Sequence, residues 1–288
     1  MGERQTVGVD IGGTKVAAGL VDGAGAITHK TRVPMTGFDA VREAVENILR
    51  EAGGAIRGIG ICSPGPLDPV CGVVINPPNL PCWRNFPLAA ETERTFGVPV
   101  RVDNDANAAG LAEALWGAGI GYKNVFYATL GTGVGAGIVF DGKIYHGRTG
   151  SAAEGGHVVI DYQGPVCGCG KRGCIEALCS GPAIARRAGM ACAEDVGAAY
   201  RAGDQAARAV LAETAELLGV WLGTVVDLLE PDVIVVGGGV AELMSPFLDE
   251  WKAAIPRWSI NPRAGEIPLV RARYGSDSGI AGAAALMV

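Results

Sequence analysis

One design occurs twice in this chain, and the repetition restricts its fold more than any single residue does. The first copy runs Val7-Gly-Val-Asp10-Ile-Gly12-Gly13-Thr14-Lys15-Val-Ala-Ala-Gly-Leu-Val-Asp22-Gly23. The second runs Phe126-Tyr-Ala-Thr129-Leu-Gly131-Thr132-Gly133-Val-Gly135-Ala-Gly137-Ile-Val-Phe-Asp141-Gly142. An ungapped shift of 119 residues puts Gly12 on Gly131 and Asp22-Gly23 on Asp141-Gly142. Each copy reads as strand, Gly/Thr turn, strand, Asp-Gly turn, strand, and Asp-Gly between apolar runs is a strong hairpin signal. Alternating helices and strands follow both copies. The pattern predicts two similar α/β halves, residues 1–118 and 119–288, with the C-terminal helix returning to the N-terminal half.

The elements between the copies are legible from periodicity. Residues 39–52 read as a helix with Val41, Val45, Ile48 and Leu49 on one face. Ile56–Cys62 and Val98–Val102 read as strands, and Ala106 to Trp116 as an Ala-rich helix. In the second half, residues 205–229 read as a long helix. Val233–Val236 is a buried strand ending in Gly237-Gly238-Gly239, and a last strand near Leu269–Arg273 precedes the C-terminal helix. A hydrophobic share of 49% supports a large core. The net charge of −6, without a Lys/Arg run, argues against a nucleic-acid surface. No signal-peptide pattern opens the chain. The longest apolar runs, such as Val233-Ile-Val-Val236, are too short to span a bilayer. Eight cysteines then fit a reducing, cytoplasmic setting. Met1-Gly2-Glu-Arg-Gln-Thr6 matches a loose myristoylation pattern, which is read as chance beside a strand starting at Thr6.

A Gly/Thr turn between two strands can aim several N–H groups at one point and so make an anion nest. Two such turns from duplicated halves would grip a triphosphate; as tight hairpins alone they would do nothing chemical. Gly131-Thr-Gly133-Val-Gly-Ala136 resembles a dinucleotide fingerprint, but that fingerprint must lead into a helix, and this one leads into a strand. No Gly-x-x-x-x-Gly-Lys-Ser/Thr occurs, so the chain is not a P-loop enzyme.

A second cluster has metal chemistry. In Glu154-Gly-Gly-His157 … Cys167-Gly-Cys169-Gly-Lys-Arg-Gly-Cys174-Ile-Glu176, three thiolates and an imidazole make a complete tetrahedral Zn²⁺ shell. Such a shell leaves no open position, so the site would be structural and would hold Glu154 and Glu176 on a rigid loop. The alternative is four unrelated residues, since buried reduced cysteine is common. Finally, Arg101-Val-Asp103-Asn104-Asp105-Ala-Asn107 closes a strand and opens a helix. An Asp there can be an N-cap. It also lies where ligand sites form in α/β sheets, and a carboxylate is the usual acceptor of a hydroxyl proton in phosphoryl transfer.

Taken together, these segments resemble the ROK family of sugar kinases, and within it the bacterial ATP-dependent glucokinases. The resemblance runs over essentially the whole chain. It rests on Asp10-Ile-Gly-Gly-Thr-Lys15, Ser63-Pro-Gly-Pro-Leu-Asp68, Pro78-Asn-Leu-Pro-Cys-Trp83, Asp103-Asn-Asp-Ala-Asn107, Leu130-Gly-Thr-Gly-Val-Gly135, Glu154-Gly-Gly-His157, the cysteine knuckle and Gly237-Gly-Gly239. It implies an actin-like α/β ATPase fold of two RNase-H-like domains with an interdomain cleft and a zinc knuckle. It implies ATP-dependent phosphorylation of a hexose 6-hydroxyl, glucose first, with N-acetylmannosamine, N-acetylglucosamine, allose or fructose as alternatives. Asp105 would be the base. Gly65, Asn79, Asn104, Glu154, His157 and Glu176 would contact sugar, and His157, Cys167, Cys169 and Cys174 would hold Zn²⁺. Asp10, Gly12, Gly13, Thr14 and Lys15, with Gly131, Thr132 and Gly133, would face the ATP phosphates, Asp10 holding Mg²⁺ through water. Gly237, Gly238 and Gly239 would lie near the adenosine. A homo-oligomer, dimer or tetramer, is implied, with no membrane or nucleic-acid partner. The chain shows no N-terminal helix-turn-helix, which sets it apart from the family's repressors; a non-enzymatic sugar sensor on this scaffold need not keep Asp105 or the phosphate turns. Three departures stand out. Asp103 replaces the usual Glu, and Trp83 follows Cys82 where Gly is commoner. Gly155 replaces a larger apolar residue, which is expected to loosen the sugar-side loop.

Overall fold

The computed structural model describes residues 5–288, so the Met1-Gly2 start of the myristoylation-like pattern lies outside the described residues. Among these, the first half of the chain forms strands β1 (Thr6–Ile11), β2 (Lys15–Val21) and β3 (Ile27–Pro34), helix α1 (Phe38–Glu51) and strand β4 (Ile59–Ser63). A small hairpin, β5 (Leu67–Asp68) with β6 (Val73–Val74), precedes helix α2 (Leu88–Phe96), strand β7 (Val100–Asn104) and helix α3 (Asp105–Trp116). The second half repeats the opening with β8 (Asn124–Leu130), β9 (Val134–Phe140) and β10 (Lys143–Ile144). Helices α4 (Ile175–Cys179), α5 (Gly181–Ala188), α6 (Ala193–Arg201) and α7 (Gln205–Leu229) follow. The chain ends with β11 (Val233–Gly237), α8 (Gly239–Leu243), α9 (Leu248–Ala254), β12 (Leu269–Arg271) and α10 (Ser278–Ala285).

The repeat seen in the sequence is a repeat of topology. The two five-stranded sheets have the orders β3-β2-β1-β4-β7 and β10-β9-β8-β11-β12. In the first, β1 pairs antiparallel with β2 (Gly8 opposite Gly19) and parallel with β4 (Gly8 opposite Gly60), and β4 runs parallel to β7. In the second, β11 runs parallel to both β8 and β12. The two Asp-Gly signals are satisfied differently. Asp141 and Gly142 both take positive φ, 48° and 72°, and make the two-residue turn between β9 and β10. Asp22 instead opens a longer loop and accepts the N–H groups of Ala24 (3.0 Å) and Ala26 (2.8 Å) through Oδ1.

The described chain forms two compact units. One holds the residues up to Gly121 with Gly137–Ala153 and Arg273–Val288; the other holds Tyr122–Ala136 and Glu154–Ala272. A single cut at 118/119 does not separate them, because the end of β9 and the β10 hairpin belong with the first unit. There Gly137 lets the backbone approach Ala106, whose carbonyl oxygen lies 2.6 Å from where a Cβ would stand.

The first unit has its core between α1 and its sheet. Ala40, Val41, Ala44, Val45 and Ile48 of α1 meet Val7, Val9, Ile11, Ile59 and Ile61, all essentially without solvent contact. Each fully buried Val or Ile contributes about 1.5–3 kcal/mol over leaving it in water. The C-terminal helix α10 packs on β1, β4 and α3. It comes so near that a methyl on Gly60 would stand 1.7 Å from the Ala283 carbonyl oxygen, and one on Gly8 2.1 Å from that of Ile280. One carboxylate ties this region together. Glu113 of α3 is fully buried and accepts the N–H groups of Ala118 (2.8 Å), Arg273 (2.8 Å) and Tyr274 (3.1 Å).

In the second unit, α7 is the central helix. By length and composition it is apolar enough to cross a membrane. Its residues Leu211, Leu218, Trp221, Leu222 and Val226 are buried, and the helix packs on α4, α5, α6 and α9. That is the pattern of a core helix.

Candidate active site

In the first unit, β7 ends and α3 begins at the Asp103-Asn104-Asp105 turn. Asn104, not either Asp, is the N-cap: its Oδ1 accepts from Ala106 N (2.9 Å) and Asn107 N (3.3 Å). Asp105 is therefore the first helical residue, with Oδ1 taking the Ala106 N–H at 2.8 Å. Asp105 is an exposed residue, although the atoms packed around the turn desolvate its carboxyl. The crowding sets its acidity: burial, with the Asp10 charge as a lesser cause, pushes the pKa up to about 6.

Asp10 lies at the end of β1, just before the first glycine turn. Burial raises its pKa too, offset in part by the Cys62 thiol and by Lys15 and Arg32. The fully buried Cys62 donates to Asp10 Oδ1 (3.4 Å) or to the Gly279 carbonyl (3.4 Å). The turn itself is closed by Gly12 N–H to Lys15 O (2.9 Å). A Cβ on Gly13 would stand 3.1 Å from the Asn79 carbonyl oxygen, so the irregular loop of residues 75–83 passes this turn. Leu80 and Trp83 anchor that loop in the core, Trp83 stacking on Phe86 at 4.9 Å between centroids. A Cβ on Gly65 would stand 3.8 Å from Asn104 Nδ2. The first unit thus links Asp10 with Asp105 electrostatically, Gly13 with Asn79, and Gly65 with Asn104.

In the second unit, the turn Gly131-Thr132-Gly133 is held from two sides. Gly181 N–H donates to Gly131 O (2.8 Å), and Val134 N–H to Glu176 Oε2 (3.1 Å). Gly238, at φ 92°, packs against the Leu130 carbonyl, where any side chain would collide. A recess of about 660 Å³ opens beside these glycines, lined by Gly131, Thr132, Gly239, Cys192, Glu194 and Arg201. Glycines from the second turn and from the Gly237–Gly239 run therefore share one cavity.

The knuckle lies in the same unit. The ligand atoms of His157, Cys167, Cys169 and Cys174 all fall within 4.8 Å of one another. Cys169 Sγ to Cys174 Sγ is 3.7 Å, and Cys167 Sγ to His157 Nδ1 is 3.6 Å. Metal–ligand distances of about 2.3 Å to sulfur and about 2.05 Å to nitrogen give tetrahedral edges of about 3.8 and 3.6 Å. The set fits a Zn²⁺ ion. Without a metal, burial pushes the Cys174 thiol up to about 12, so it would remain protonated. Glu176 touches both structures: its Oε1 stands 3.8 Å from Cys167 Sγ and 4.0 Å from His157 Nδ1. Glu154 is exposed beside the short turn Gly155–His157. The loosening expected from Gly155 does not appear. A Cβ there would meet Ala136 Cβ at 3.0 Å and Trp221 Cζ2 at 3.3 Å, so the Trp221 ring fills the space a larger residue would take.

Sequence reasoning missed the far wall of the recess. Its signals were local: Ser180 caps α5 with Pro182 just inside, and Glu194-Asp195 opens α6. It also missed the pairing of Asp103 with His146, whose Oδ2 and Nε2 lie 2.5 Å apart across 43 positions of chain.

The ROK family model matches residues 6–288. A glucokinase of Streptomyces coelicolor is 36% identical, the match covering 98% of this chain and 96% of that protein. An N-acetylmannosamine kinase of Salmonella typhi is 34% identical over 98% of this chain and 97% of its own length. The crystal structure of a ROK family glucokinase from Streptomyces griseus, in complex with glucose and AMPPNP, superposes with a TM-score of 0.83 at 35% identity, covering 98% of both chains. The α/β fold and the full-length match lead to one conclusion: the chain belongs to the ROK family.

Proposed function

We propose that the protein is an ATP-dependent hexose kinase that transfers the γ-phosphoryl group to a sugar 6-hydroxyl, with glucose as preferred substrate. The observation that carries this reading is Asp105, a carboxylate at a strand end whose pKa of about 6 suits a base at neutral pH. The glucokinase relatives and the glucose-bound neighbour support the choice of sugar. Asp105 accepts the 6-hydroxyl proton while the attacking oxygen takes the phosphoryl group. Asn104 orients the neighbouring hydroxyl, with Gly65 and Asn79 beside it, and Glu154, His157 and Glu176 bind the remaining sugar hydroxyls. Backbone N–H groups of residues 12–15 and 131–133 hold phosphate oxygens, and the recess beside Gly239 takes the adenosine. Asp10 would bind Mg²⁺ through water; that ion supplies charge neutralisation on the phosphates.

The same reading gives the chain an actin-like fold of two RNase-H-like domains. Zn²⁺ would be held by His157, Cys167, Cys169 and Cys174, with no role in the chemistry beyond fixing the loop. We place the protein in the cytoplasm, as a homo-oligomer and a participant in sugar breakdown. The 34% identity to an N-acetylmannosamine kinase favours one second reading, an N-acetylhexosamine kinase. ADP release from Mg-ATP, measured over a panel of hexoses and N-acetylhexosamines, tests both. Glucose should give the highest kcat/KM, and no turnover with any sugar refutes the kinase reading.

A further inference from the structure

Beneath the turn that carries Asp105 lies a pair of side chains with no place in the chemistry above. Asp103 is 4% exposed. Its Oδ1 accepts the Asn104 backbone N–H (2.7 Å) and the Asn107 amide (3.1 Å), and its Oδ2 meets His146 Nε2 at 2.5 Å. Asn104 in turn caps α3 through Ala106 and Asn107. One buried carboxylate thus touches the residue before Asp105 and the residue two after it. His146 is its only side-chain partner from a distant part of the chain among the hydrogen bonds of the described residues. The His146 backbone carbonyl is fixed as well, accepting from Ala152 N (3.2 Å).

We propose that His146 is a positioning residue for Asp105, acting through Asp103. The proposal rests on Asp105 being the base. A buried carboxylate needs its charge and lone pairs satisfied. With His146 in place, Asp103 has a fixed charge-assisted partner and can hold the Asn104 N–H and the Asn107 amide at the same time. Without it, Asp103 loses the partner that fixes its orientation and is free to turn toward water, which releases the turn. Asp103 also raises the proton affinity of His146, through its hydrogen bond and its charge. His146, Asp103, Arg101, Glu93 and Lys143 line a recess of about 840 Å³ within the first unit. Glu93 is engaged with Val100 N–H (3.0 Å), so Asp103 is the carboxylate bonded to the imidazole.

A displacement of about 1 Å at a reacting group can cost on the order of a hundredfold in rate. The test compares His146→Ala, His146→Gln and Asp105→Asn in steady-state kinetics with glucose and Mg-ATP. Gln places an amide N–H near the position of Nε2. His146→Ala should lower kcat at least tenfold and leave KM for Mg-ATP within twofold; His146→Gln should stay within threefold of the parent in kcat. If the Ala variant does not fold, His146→Phe, which keeps the ring volume without the donor, is held to the same criteria. A folded Ala or Phe variant with kcat within twofold of the parent overturns the inference, provided Asp105→Asn is inactive. A Gln variant as slow as the Ala variant also overturns it, because the effect then does not run through the bond to Asp103. An active Asp105→Asn overturns the base assignment and this inference with it.

Discussion

The strongest prediction concerns the pH dependence of Asp105. With a pKa of about 6, roughly nine-tenths of the molecules carry the ionised base at pH 7 and about one-tenth at pH 5. kcat/KM for the sugar should therefore fall about tenfold per pH unit below 6. Asp105→Asn should lose on the order of 10²–10⁴ in kcat, the usual contribution of a positioned base. The same shift fixes a stability effect of opposite sense. The unfolded carboxyl titrates near 3.8 and the folded one near 6. Between those values the native state binds more protons, so this group's contribution to stability is full below about pH 4 and is lost as pH rises through 6. Asp105→Asn removes that loss. The variant should melt at a higher temperature than the parent at pH 7.5 and at the same temperature near pH 4. Direct chromatographic measurement of ADP, from pH 5 to 8, avoids coupling enzymes with their own pH limits. An acid limb centred near pH 4, or a variant that keeps more than a tenth of kcat, would refute the reasoning.

Three further outcomes are expected. Cys174→Ser should lose metal, read as zinc per chain by mass spectrometry, and melt lower; an unchanged melting temperature with no bound zinc in the parent would dismiss the structural ion. Glu113→Ala should destabilise by about 1–3 kcal/mol in denaturant titration, since it leaves three part-buried backbone donors without their carboxylate. Gly155→Ile should cost about 1–3 kcal/mol through collision with Ala136 and Trp221, and raise KM for the sugar; a stabilised variant would show that the Trp221 ring yields readily.

Much of the fold was legible because its signals are local. The duplicated strand-turn-strand runs, the 25-residue helix α7 and the alternation at β7 and α3 each announce themselves within one window of sequence. The knuckle was legible for the same reason, since its four residues span only eighteen positions. Apart from the far wall of the recess, the failures were contacts over long separations. Glu113 sits in an Ala-rich helix and reads as an ordinary exposed charge; only the packing of residues 118 and 273–274 around it shows otherwise. The Asp103–His146 pair and the Trp221 ring beneath Gly155 are of the same kind. The division into units was misplaced because a hairpin's sequence says which strands join but not which body they join to.

The near-contact of α10 with the backbones of Gly8 and Gly60 has a consequence for biosynthesis. β1 and β4 lack one of their covering layers until residues 278–285 have been made, more than two hundred positions later. That sheet must wait, partly uncovered, through the synthesis of everything between β7 and α10. Loss of α10 would leave it bare for good.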